Sequence, residues 1–113
     1  MPEEKVEEVF NIVEVQPEPV GGISEFYKFV AKELIYPPSA LRLGVAGTVY
    51  VQFIVEKDGS LTEFKVMRGI GAGCDEEAIR VLGNAPNWTP GKQRGIPVRV
   101  YRVIPIKFVY RES

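Results

Sequence analysis

Three neighbouring carboxylates, Asp75, Glu76 and Glu77, follow a lone cysteine, Cys74, and the glycine-rich run Gly69-Ile70-Gly71-Ala72-Gly73. Paired carboxylates can divide general-acid and general-base work. Three acids in the first turn of a helix are also what its N-terminal dipole favours, and that structural reading explains them fully. The glycine run could cradle a phosphate at a helix start, but it lacks the GxGxxG spacing and follows an antiparallel hairpin. Cys74 has no second cysteine to pair with and reads as a small buried hydrophobe. The 113 residues contain no histidine, which removes the commonest general base, the usual partner of a Ser or Cys nucleophile and the main nitrogen ligand of zinc. These residues point away from an enzyme, and no cofactor or metal is expected.

Lys92, Arg94, Arg99 and Arg102 gather near the C-terminus as a basic cluster, read first as a solvated strand face and second as a contact for an acidic partner. The whole chain holds 14 Lys and Arg against 15 Asp and Glu, a net charge of -1, so it lacks the basic excess of a phosphate-tracking surface and nucleic acid is not an expected partner. Charge interrupts every apolar stretch well short of the roughly 20 residues that cross a bilayer. The charged start Met1-Pro2-Glu3-Glu4-Lys5 leads into no apolar segment, so no secretion signal is read there.

The elements that must position these residues fit one domain. Residues 1–20 form an acidic, proline-punctuated lead-in, in which Glu8 to Val15 suits a short strand laid on the domain edge. After Gly21-Gly22, Ser24 suits an N-cap for a helix to Ile35, with Phe26, Phe29, Val30 and Leu34 at helical spacing. Tyr36-Pro37-Pro38 must stop it. A short helix from Pro38 to Leu43 then ends at Gly44. Val49, Val51, Phe53 and Val55 alternate along a strand, Asp58-Gly59 turns the chain, and a second strand returns from Leu61 to Arg68. Leu61 is out of phase with Phe64 and Val66, which predicts a bulge or a later strand start. A helix follows from Cys74, burying Cys74, Ala78 and Leu82. Ala85 to Pro97 reads as a loop carrying Trp88, and Val98 to Phe108 as a long final strand.

A hairpin, a helix and a strand describe a right-handed crossover, so the last strand pairs antiparallel with the first. The predicted fold is α+β, a small antiparallel three-stranded sheet in the order 2-1-3 with helices on one face and the last strand at an edge, where Pro105 is tolerated. An exposed, alternating edge strand is a docking site unless the N-terminal segment or a second copy of the chain covers it. Tyr36-Pro37 and Trp88, at element boundaries, read either as plugs of the core or as ligand contacts.

The ordered set Gly21-Gly22, Tyr36-Pro37, Ala40, Gly47-x-Val49-x-Val51-x-Phe53-x-Val55, Asp58-Gly59, Val66, Asp75, Ala78, Trp88-x-Pro90-Gly91, Pro97-Val98 and Pro105-Ile106-x-Phe108 resembles the TonB C-terminal domain family across roughly residues 20–110. The domain then comprises residues 21–113. Glu7-Glu8-Val9-Phe10 and the Gly21-Gly22 step look most like its Bacteroidetes-type form. Each motif is common alone; their order and spacing carry the resemblance.

The resemblance implies a periplasmic domain of an energy transducer held in the inner membrane. Such a transducer, driven through ExbB and ExbD by the proton gradient, pulls on the TonB box of outer-membrane receptors. By position, the last strand would accept the box by strand addition, with Val98, Arg99, Val100, Tyr101, Arg102, Val103 and Ile104 as its peptide-binding residues and Tyr36 and Pro37 nearby. Pro105 lacks a donor, which confines the box to Val98–Ile104. Cys74 stands where such domains usually carry leucine. The membrane helix and spacer are not in these residues, so the alternative is a related interaction or wall-binding module appended to a membrane sensor or peptidase. A bare edge also invites a homodimer.

Overall fold

The computed structural model describes residues 8–110. Strand β1 (Val9–Phe10) and strand β2 (Glu18–Pro19) precede helix α1 (Ile23–Glu33) and helix α2 (Pro38–Leu43). The hairpin of β3 (Gly47–Val55) and β4 (Leu61–Arg68) leads to helix α3 (Cys74–Gly83), the short strands β5 (Trp88–Thr89) and β6 (Gly91–Gln93), and the long β7 (Ile96–Phe108).

Helix α1 starts earlier than its sequence suggests. Gly22, at φ 92° and ψ 171°, is the N-cap, and no side chain caps the helix, so Ser24 lies inside the first turn. Only glycine takes that backbone geometry without strain. The helix also stops at Glu33, short of Ile35: Leu34 swings out to ψ 125° as the chain turns extended ahead of Pro37. Helix α2 has proline in its first turn and closes on Gly44 in the left-handed region at φ 67°.

The expected three-stranded sheet in the order 2-1-3 is not what forms. The sheet has five strands: β1-β7-β3-β4, with β6 also on β7. Strand β3 does lie between β4 and β7, antiparallel to both. What changes the count is the segment expected as a loop, where β6 closes a hairpin onto Ile96–Val98, and the lead-in, where β1 runs parallel to β7 with Val9 opposite Arg99 and Phe10 opposite Val100. Strand β5 pairs with β2 outside the main sheet. These pairings satisfy backbone groups that composition alone does not reveal, since Gly91 and Lys92 carry no alternating apolar pattern.

The phase slip in β4 is a bulge. Gln52 pairs with Lys65 and Ile54 with Thr62, so Phe53 faces two residues, and one of them, Glu63, sits at φ 51°. The extra residue returns Phe64 and Val66 to the core face alongside Leu61.

The core lies between one sheet face and the helices: Val49, Val51, Phe53 and Val55 of β3, Ile104, Ile106 and Phe108 of β7, Phe26 and Val30 of α1, and Cys74, Ala78, Val81 and Leu82 of α3. Trp88 is its largest fully buried side chain. Its ring meets Phe26 and Phe53 edge-on, both at 5.3 Å between centroids, which is the favoured geometry of aromatic pairs.

Candidate functional site

The carboxylates beside the glycine-rich loop are occupied by structure. Asp75 Oδ1 accepts the N–H groups of Ile70 and Gly71 at 2.9 and 3.2 Å, clasping the loop that opens α3. Glu77 accepts the N–H of Ile35 at 2.6 Å and pairs with Arg80 at 2.7 Å. The bond from Arg80 holds the Glu77 carboxyl below the usual glutamate range. Burial pushes the Cys74 thiol up, and the nearby Asp75 and Glu76 charges push the same way. A thiol held protonated is not a nucleophile.

Strand β7 leaves part of one edge unpaired, as β4 does at the opposite end of the sheet, and the two ends of β7 differ. At its start, Ile96–Val98 pairs with β6, and Arg99 and Val100 are covered by β1. From Val100 to Phe108 one side pairs with β3. The other side, from Tyr101 onward, has no strand partner among the described residues. Pro105, opposite Tyr50, has no N–H to give the ladder, and its carbonyl accepts the Tyr27 hydroxyl at 3.0 Å. The polar edge of Pro105 thus points away from β3. By the two-residue alternation of a strand, the N–H and C=O groups of Tyr101 and Val103 point the same way.

A groove of about 380 Å³ runs beside this edge, walled by Tyr27, Val30, Ala31 and Leu34 of α1 and by Pro105 and Lys107 of β7. Burial raises the Tyr27 pKa, partly offset by the Arg102 charge. Its hydroxyl is therefore a protonated donor across the neutral range.

The residues expected to bind peptide are not all brought together. Arg99 is spent on structure: its Nε meets Glu56 Oε1 at 2.7 Å and its terminal nitrogen reaches Glu63 at 3.0 Å, tying β7 to the hairpin. Arg102 lies over the Trp88 ring and donates to the Pro17 carbonyl at 2.6 Å, holding the lead-in. Two members of the basic cluster, Arg99 and Arg102, are accordingly given separate structural tasks. Val100 and Ile104 are core side chains. Tyr101 and Val103 alone combine an outward backbone with accessible side chains, Val103 being 48% exposed.

Tyr36 stands at the opposite end of β7, its ring edge-on to Phe108 at 5.7 Å and its hydroxyl donating to the Val45 carbonyl. Pro37 packs toward Gly73. Ten residues of strand, about 30 Å at roughly 3.3 Å per residue, separate Phe108 from Val98. Tyr36 and Pro37 thus lie at the Phe108 end of the strand and do not meet Val98 or Arg99. Tyr27, Ala31 and Leu34 were not legible as groove residues. The available signal was Tyr27 itself, an aromatic with a polar tip beside an apolar stripe.

The family model described as the Gram-negative bacterial TonB protein C-terminal matches residues 32–110. No curated protein matches the chain. Among solved structures, the NMR solution structure of Helicobacter pylori TonB-CTD residues 194–285 superposes with a TM-score of 0.61 at 24% identity, covering 80% of this chain and 96% of that one. A longer version of that domain, residues 179–285, gives a TM-score of 0.59 at 22% identity over 80% and 82% of the two chains. Those two likenesses establish a common fold. With the family model spanning well over half of its residues, the chain belongs to the Gram-negative bacterial TonB protein C-terminal family.

Proposed function

We propose that the chain is the periplasmic domain of a TonB-type energy transducer, which takes the TonB box of an outer-membrane receptor as an added strand on β7. The observation that carries this reading is the outer edge of β7 from Tyr101 onward, a run of backbone groups with no strand partner among the described residues and an apolar groove beside it. Main-chain bonds supply affinity in strand addition, and pockets for alternate side chains supply selectivity. The docking segment is therefore Tyr101 to Val103 with the groove beyond. It excludes Arg99 and Val100, which β1 covers.

A strand loaded along its length resists force well, because its ladder bonds share the load. Strand β7 is itself braced by nine register pairs with β3, from Gly47–Phe108 to Val55–Val100. Coupling to ExbB and ExbD belongs to the rest of the transducer.

The test is a titration of nitrogen-15-labelled domain, shown by sedimentation to be monomeric, with synthetic TonB-box peptides from receptors of the same genome. Saturable amide shifts centred on Tyr101, Val103 and the α1 groove, with affinity of micromolar order or about -8 kcal/mol, are expected. Absence of shifts with every box would replace this reading with that of an interaction module appended to a membrane sensor or peptidase.

A further inference from the structure

An added strand normally continues along an edge for as long as donors and acceptors alternate, and nothing in a uniform edge fixes where it starts. The outer edge of β7 is not uniform. At Pro105 it offers no N–H, and the carbonyl there is already taken by the Tyr27 hydroxyl at 3.0 Å. Two residues beyond Val103, one edge position thus lacks its donor, and its acceptor is already engaged by Tyr27. At the other end, β1 covers Arg99 and Val100. Only Tyr101 and Val103 lie between the two blocks.

Beyond the second block lies the groove. Tyr27, whose hydroxyl caps Pro105, also forms part of its wall, with Val30, Ala31 and Leu34 behind it and Lys107 at its far side. An incoming chain that loses its ladder at Pro105 therefore meets apolar surface where its next bonds would have been.

We propose that Tyr27 and Pro105 form a register stop, so that a docked peptide ladders only on Tyr101 and Val103 and then lodges an apolar side chain in the groove between α1 and β7. The partner this selects is an extended segment of a few residues flanked at once by an aliphatic or aromatic residue. Slippage by two residues would carry a peptide C=O onto Pro105, where it finds no N–H, and a peptide N–H onto a carbonyl that Tyr27 already engages, and unpaired polar groups at a closed contact are costly. The inference rests on the strand-addition reading above.

The experiment is amide hydrogen exchange on the labelled domain saturated with a receptor TonB-box peptide, with the peptide's own amides followed in a second, labelled sample. Slowed exchange at Tyr101 and Val103 with no change at Lys107 is the expected pattern. In Tyr27→Phe, which keeps the ring, the freed carbonyl of Pro105 gains a partner and one further peptide N–H becomes protected. Ala31→Glu, which sets a carboxylate on the groove wall, weakens the peptide about tenfold or more while leaving the Tyr101 and Val103 pattern in what still binds. Protection reaching Lys107 in the unaltered domain, or an unchanged peptide pattern in Tyr27→Phe, overturns the register stop and leaves strand addition standing. No protection anywhere on β7 with any box overturns both.

Discussion

The Arg102 guanidinium lies 5.3 Å from the centroid of the Trp88 ring, so a charged residue of the sheet closes the polar rim of the aromatic core. The same guanidinium donates to the Pro17 carbonyl at 2.6 Å, which pins the lead-in across that ring. Pro17 and Pro19 are buried by this arrangement, and β2 pairs with β5 at Trp88 itself.

Arg102→Ala removes both contacts. A cation over an aromatic face is worth about 0.5–1 kcal/mol and a hydrogen bond from a charged group about 1.5–3 kcal/mol, so a loss of roughly 2 kcal/mol is expected. Urea unfolding measures it, and faster amide exchange at Val15 and Val20 would locate it in the lead-in. An unchanged midpoint would show that the lead-in is held by other contacts, such as the paired backbone bonds of Val15 and Lys92 at 3.0 and 2.9 Å.

Two glycines separate strain from collision. At Gly44 an added Cβ meets nothing within 4 Å, so Gly44→Ala costs only the left-handed conformation, about 1 kcal/mol. At Gly59, also at positive φ, the Cβ would lie 1.8 Å from the Trp88 carbonyl oxygen. Gly59 also accepts the Trp88 N–H at 2.7 Å, so the hairpin tip cannot withdraw without losing that bond. Gly59→Ala should cost about 3 kcal/mol or more. Thermal unfolding of the two variants side by side checks the order.

Acid should destabilise the domain through two glutamates. The hydrogen bond from Arg99 holds Glu56 below the usual 4.5, with a further bond from Thr62, and the bond from Arg80 does the same for Glu77. A depressed folded pKa gives stability that is fully present above the unfolded value of about 4.5 and is lost as pH falls through the lower folded values. Stability should be flat above pH 5 on this account and fall below about 4.5. Glu56→Gln and Glu77→Gln should each flatten that fall, which urea midpoints across an acid series would reveal.

Cys74 is fully buried, and burial raises its thiol pKa. A disulfide reagent added at neutral pH should therefore react only as fast as the domain opens, and at once in urea. Rapid reaction in the native state would mean that the start of α3 opens locally.

Much of the architecture was legible because local rules and burial agree. The β3 and β4 hairpin, the proline stop after α1, the glycine end of α2 and the bulge in β4 each follow from turn chemistry or from a break in the period of apolar residues. The ordered motifs are enough to indicate the family. Asp75 and Glu77 make hydrogen bonds to the glycine-rich loop and to Ile35, contacts that helix-start electrostatics does not predict.

Periodicity, written residue by residue, marks the three helices, the β3 and β4 hairpin and β7 and the apolar face each of them buries, but not β5 or β6. Which backbone groups remain unpaired was decided only by tertiary structure. Arg99 and Arg102 look alike in a row of residues, yet one turns to Glu56 and Glu63 and the other to Trp88 and Pro17. The edge expected to be open from Val98 is covered at Arg99 and Val100, because two residues of the lead-in find their bonds there. Tyr27 reaches Pro105 across 78 positions of sequence. Such pairings depend on which distant segments the packed core brings within about 3 Å, a distance no local pattern encodes.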